Sequence, residues 1–147
     1  MKERKYHKYI ITTPKPLTEG EPPKDDADVM TPVTYIDDRI IKGAFYVECS
    51  WFWKPTKLSP PTHVHDFDEI LSFFGSDPAD PKDLCGEVEL WLGDEKHILT
   101  HSCSVFIPKG LKHCPMIIRK AERPIFHFSC GTSGKYNKDI SLIETDS

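Results

Sequence analysis

Nowhere between residues 33 and 131 do apolar side chains keep a 3.6-residue period over any length. They come instead in short runs, rich in aromatic and β-branched residues, separated by Gly, Pro and Asp. A chain without a helical period must build its core from strands, and short strands with turn signals at close intervals stack as a sandwich or close into a barrel. The fold class expected is therefore all-β. VTYIDDR and GAFYVECSWFW each read as a strand, the second stopping at Lys54-Pro55. A third covers THVHDFDEIL (62–71) and runs on to Phe74, and GSDPADPKDLCG (75–86) reads as a loop. EVELWL sets Val88, Leu90 and Leu92 on one face, Gly93-Asp94 sits where a hairpin turn belongs, and KHILT is the return strand. CSVFIP adds another, and MIIRKAERPIFHFSC two more with a turn near 121–123. Before them lies an irregular arm, residues 1–32, interrupted by Pro14, Pro16, Pro22, Pro23 and Pro32, in which Tyr9-Ile10-Ile11 offers an edge strand. After the barrel segment 33–131 comes a tail, 132–147, polar apart from Ile140, Leu142 and Ile143.

Length and charge narrow the functional classes. The 147 residues suit one domain. The net charge of −4 and the lack of a basic block argue against a nucleic-acid partner. No apolar run approaches the ~20 residues that span a bilayer. MKERKYHKY is not followed by an apolar stretch, so no secretory leader is expected and the compartment expected is the cytoplasm. The five cysteines are odd in number and show no C-x-x-C spacing, which predicts free, mostly buried thiols.

The stretch at 62–71 carries the chemistry. On a strand, side chains alternate between faces, so His63, His65 and Glu69 share one face with Phe67, Leu71 and Phe73, while Asp66 and Asp68 point the other way. Two imidazoles two residues apart can reach one cation, and Glu69 can close a third corner. A polar group on an apolar inner face needs a partner, which a metal supplies. Further on, PKGLKH places a turn at Pro108 and Gly110 that aims His113 across the barrel.

These two stretches together resemble the two motifs of the cupin superfamily. His63, His65, Glu69 and Gly75 match the first and Pro108, Gly110 and His113 the second. The resemblance implies a cupin jelly-roll barrel, a double-stranded β-helix, holding one metal on His63, His65, Glu69 and His113. Three neutral imidazoles and a carboxylate suit a divalent first-row ion: iron, manganese, nickel, cobalt, copper or zinc. It further implies a metal-dependent enzyme (a dioxygenase, an isomerase or a C–C lyase) acting on a small oxygen-rich molecule chelated to the metal. The rival readings are a non-catalytic cupin that binds or senses a small ligand, and a metal-supported structural domain. Cupin barrels often pair through sheet faces or swapped terminal strands, so a homodimer is expected.

Other residues refine the site. His127, between Phe126 and Phe128, becomes a candidate acid or base if the phenylalanines pack outside, and faces outward if they line the cavity. His97 and His101 read as solvated surface histidines, and Glu48, Glu87 and Glu89 as surface or edge charges. Trp51, Trp53 and Trp91 read as core, and Lys109 and Lys112 as rim cations. Cys114 follows His113 and by alternation should face away from the metal, to pack rather than ligate; ligation is the alternative for it and for Cys103.

Overall fold

A computed structural model describes residues 4–17, 19–21 and 23–133 and the backbone of 143–144. After a 3-10 turn at His7–Tyr9, ten strands follow. They are β1 Met30–Ile36, β2 Tyr46–Phe52, β3 Leu58–Ser59, β4 Glu69–Gly75, β5 Asp83–Leu92, β6 Glu95–His101, β7 Cys103–Ile107, β8 His113–Ala121, β9 Ile125–Gly131 and β10 Ile143–Glu144. One sheet has the order β1-β2-β9-β4-β7, a second β6-β5-β8, and β10 pairs with β3. Every pairing is antiparallel. The two larger sheets meet over a core of Phe52, Leu71, Phe73, Leu84, Val88, Leu90, Ile107, Ile118 and Ile125. Each such side chain contributes roughly 1.5–3 kcal/mol by leaving water. Among the described residues no helix is long and apolar enough to cross a membrane.

The all-β reading holds, with local differences. β1 begins at Met30, inside the expected arm, and a register shift between Pro32 and Thr34 absorbs the proline. β5 begins at Asp83, inside the expected loop, and shifts register before Val88. Residues 9–11 form no strand, yet the arm still follows β1, for the Tyr35 amide donates to the Thr13 carbonyl at 3.1 Å. The two strands in MIIRKAERPIFHFSC are not a hairpin: β8 belongs to the three-stranded sheet and β9 to the five-stranded one. In the tail, Ile143–Glu144 pairs with Leu58–Ser59, whereas Ile140 and Leu142 lie outside the described residues.

The strand expected through 62–74 is in the ladder only from Glu69. Pro60 and Pro61 cannot donate to a ladder, and residues 60–68 run irregularly with one isolated bridge, His63 to His113. Burial nevertheless alternates through the segment: Thr62, Val64, Asp66 and Asp68 are exposed, while His65, Phe67 and Glu69 are buried and His63 is half-buried.

Register separates the faces of the five-stranded sheet. Glu69, Gly131 and Tyr46 stand in one inward row, Leu71, Ser129 and Glu48 in the next, then Phe73, His127 and Ser50. Glu48 thus stands in an inward row, half-buried. The outward rows are Val47, Cys130, Ile70 and Phe106; Cys49, Phe128, Ser72 and Ser104; and Trp51, Phe126 and Phe74. Trp51 and Trp53 stack on this outer side at 5.6 Å rather than in the core. Trp91 also lies outside, on the other sheet, where its indole N–H donates to Glu89 at 3.1 Å.

Candidate metal centre

The two ligand-bearing segments are joined backbone to backbone. The His63 amide donates to the His113 carbonyl at 3.1 Å, and the His113 amide returns to the His63 carbonyl at 3.0 Å. The Gly110 amide donates to the His65 carbonyl at 3.0 Å, and the Lys109 amide to the Asp68 carboxylate at 2.9 Å. Gly110 holds φ at +86°, a left-handed conformation that costs a residue with a Cβ free energy, and this turn delivers His113 to the start of β8.

His63, His65 and His113 cluster as a result, with ring centroids 4.4 to 5.1 Å apart. His65, Glu69 and His113 are all buried and offer ligand atoms within 4.8 Å of one another. The Nδ1 of His63 lies 2.7 Å from the Pro61 carbonyl, and that of His113 lies 3.0 Å from the Leu111 carbonyl. A carbonyl only accepts, so both Nδ1 atoms carry a proton and Nε2 is the atom each ring has left to offer a cation. Nε2 of His113, buried without a hydrogen-bond partner, stands 3.2 Å from Oε1 of Glu69. A buried ring nitrogen and a carboxylate oxygen at that distance are held together by positive charge, from a second ring proton or a metal ion, and with His65 beside them the donor set fits a metal ion.

The electrostatics agree. Burial pulls the imidazoles of His63 and His65 down, that of His65 to about 4, so both are neutral and able to ligate near pH 7. Burial pushes the Glu69 carboxyl up, but His113, the Tyr46 hydroxyl and His65 outweigh it and hold the group below its usual range. Glu69 is therefore an anion in a nearly dry site.

Tyr46 is the residue that sequence reasoning missed. Fully buried, it donates its hydroxyl to Oε2 of Glu69 and packs edge-on against Phe67 at 5.8 Å. Gly131 makes room, since a Cβ there would sit 2.5 Å from the Tyr46 ring. Nothing local in FYVE marks this role; only the pairing of β2 with β9 and of β9 with β4 brings Tyr46 to Glu69.

His127 faces inward and stacks on Phe73 at 4.6 Å. Its Nδ1 donates to the Ser72 carbonyl at 2.9 Å, and burial lowers its pKa to about 4. It lies deeper along β9 than the ligand row, toward Ile125. His97 and His101 stay at the surface, and neither belongs to a metal-competent cluster among the described residues. Lys109 and Lys112 are exposed beside the turn. Cys114 is buried as expected, the other four thiols being half-buried, but its sulfur groups with ligand atoms of His63 and His113 instead of turning away from them. Alternation fails there because Cys114 holds φ at +73°.

No family model and no curated protein matches the sequence. Solved structures do match its fold. Recombinant oxalate oxidase in complex with glycolate superimposes with a TM-score of 0.51 at 13% identity, over 80% of this chain and 56% of that one. Oxalate oxidase in complex with the substrate analogue glycolate gives 0.52 at 12% identity, over 88% of this chain and 62% of that one. The chain has the cupin fold. It spans 56% to 62% of the length of those oxalate oxidase chains, and at such identity the likeness speaks for the cupin barrel alone.

Proposed function

We propose that this cupin barrel is a mononuclear metal-dependent enzyme acting on a small oxygen-rich molecule. The observation that carries the reading is the buried convergence of His65, Glu69 and His113, whose ligand atoms lie within 4.8 Å of one another. His63, His65, Glu69 and His113 would hold one divalent first-row ion, which when bound supplies Lewis acidity to a pair of substrate oxygens. Tyr46 fixes Oε2 of Glu69, which also lies 3.6 Å from Nε2 of His65, and leaves Oε1 toward His113. Glu48, Ser50, Ser129 and His127 line the β2–β9 part of the interior, where a purely structural barrel has no reason to spend polar side chains. His127 is the candidate for proton transfer, its neutral Nε2 being free of the proton held at Nδ1. Oxidation, isomerisation and C–C cleavage are the chemistries that such a centre serves.

Elemental measurement on the purified protein and on the His63→Ala, His113→Ala double variant tests the reading. About one equivalent of a transition metal in the first and little in the second is expected; equal content in both overturns it. Glu69→Gln, assayed on a panel of diketones, catechols and hydroxy acids, separates the enzyme from a ligand-sensing cupin. Turnover collapses in an enzyme, whereas ligand affinity survives in a sensor.

A homodimer through the outer face of the five-stranded sheet completes the proposal. Its outward rows contain no charged residue, and Phe106 is 60% exposed. In a two-fold dimer a patch meets its own copy, so an uncharged patch escapes like-charge repulsion in a chain of net charge −4. The five free cysteines fit a reducing compartment such as the cytoplasm.

A further inference from the structure

His113 belongs to two donor sets. One is His65, Glu69 and His113; the other is His63, His113 and Cys114, whose ligand atoms also lie within 4.8 Å of one another. Donors at roughly 2.0–2.3 Å from a shared ion stand at most about 4.6 Å apart, so each set is close to closing around an ion. The first offers two nitrogens and a carboxylate oxygen, the second two nitrogens and a sulfur.

Three features make the second set more than a neighbouring thiol. Cys114 is 4% exposed, and its φ of +73° takes it out of the alternation that would have turned it from the site. Its carbonyl accepts from the Thr62 hydroxyl at 3.0 Å, which ties it to the residue before His63. The His63 and His113 rings lie 4.4 Å apart, and each sets Nδ1 on a backbone carbonyl, which leaves Nε2 as the atom to ligate.

We propose that this centre has a sulfur side, on which His63, His113 and the Cys114 thiolate take a soft or borderline ion such as Cd(II), Co(II) or Cu(I). Hard ions such as Mn(II) stay on the Glu69 side. Thiolate donors select softer metals, and carboxylates harder ones. Each ion taken on the sulfur side displaces the Cys114 thiol proton to solvent. The proposal rests on the metal-centre reading above, and it places in one residue a determinant of which metal the protein retains.

The test loads wild type, Cys114→Ser and Glu69→Gln with Co(II), Cd(II) and Mn(II) separately. Wild type is expected to show sulfur-to-metal charge-transfer absorption, in the near ultraviolet with Co(II) and at shorter wavelength with Cd(II). Cys114→Ser loses that absorption and binds Cd(II) about 10-fold or more weakly, while its Mn(II) affinity stays within about 2-fold. Glu69→Gln reverses the pattern, keeping the absorption and losing Mn(II). X-ray absorption of the Cd(II)-loaded wild type should show sulfur in the first coordination sphere, and needs no variant to fold. Bound Cd(II) without a sulfur neighbour, or an unchanged Cd(II) affinity in a folded Cys114→Ser, overturns the sulfur side and leaves the metal centre standing. Failure of wild type to bind any of the three ions overturns both.

Discussion

The two walls of the barrel are opposites. The three-stranded wall follows the usual rule: Val88, Leu90 and Ile118 are fully buried inside, and outside Glu89 pairs with Arg119 at 3.4 Å and Glu87 with Lys120 at 3.5 Å. The β2–β9 part of the five-stranded wall inverts it, except at its Phe52–Ile125 end, which joins the core. Tyr46, Glu48, Ser50, His127 and Ser129 face inward, and Val47, Cys49, Trp51, Phe126, Phe128 and Cys130 face outward. Burying polar groups costs free energy and exposing aromatic ones forgoes it, so each inversion calls for its own partner. On the function proposed above, the partner inside is a metal ion and what it holds, and the partner outside is a second copy of the chain.

The contrast can be broken at several points. The largest effect expected is at the residue both donor sets share: His113→Ala should remove at least about 90% of bound metal by elemental measurement, since a centre short of one donor loses affinity by orders of magnitude. Leu90→Ala on the opposite wall should leave metal content near that of wild type while lowering thermal stability by about 2–5 kcal/mol. Tyr46→Phe leaves the ligands in place but frees Oε2 of Glu69, and about 10–100-fold weaker metal binding by competitive titration is expected.

On the outer faces, Phe106→Lys with Ile70→Lys should convert dimer to monomer in sedimentation experiments, each lysine meeting its own copy across the two-fold axis. The same change at Ile98, which is 47% exposed on the charged wall, should leave association unaltered. A wild type that sediments as a monomer would defeat this half of the comparison.

Acid sharpens the inner contrast more gently. The fold lowers the pKa of His127 from 6.5 to about 4 by burial. Its contribution to stability is thus whole above pH 6.5, falls as pH drops toward 4 and is constant below. On linkage it amounts to something on the order of 3 kcal/mol. His127→Phe should flatten the pH dependence of chemical denaturation of the metal-free protein across that window. The smallest effect is at the exposed Lys120–Glu87 pair: Lys120→Ala should change stability by less than about 1 kcal/mol.

How legible all this was in the sequence depended on whether the information was local. Spacing alone brought His63, His65 and Glu69 to one side, and burial keeps that alternation even where the ladder fails after Pro60 and Pro61. The turn at Pro108 and Gly110 likewise announced His113. Tyr46, Glu48 and the outward tryptophans were not legible, because their roles are set by which strands become neighbours. β9 lies between β2 and β4, distant in sequence from both, and a run such as FYVECSWFW alternates equally well whichever face turns inward. Cys114 escaped for the opposite reason: one residue with positive φ breaks a rule that holds on either side of it.

The reciprocal backbone bonds between His63 and His113, with that from Gly110 to His65, are indifferent to the side chains mounted on them. The scaffold therefore works as a socket whose prongs can be exchanged singly. Histidine, carboxylate or thiol can be traded at these positions while the frame keeps its shape, which would let descendants of one barrel change cation, and with it chemistry, by point replacement and without refolding.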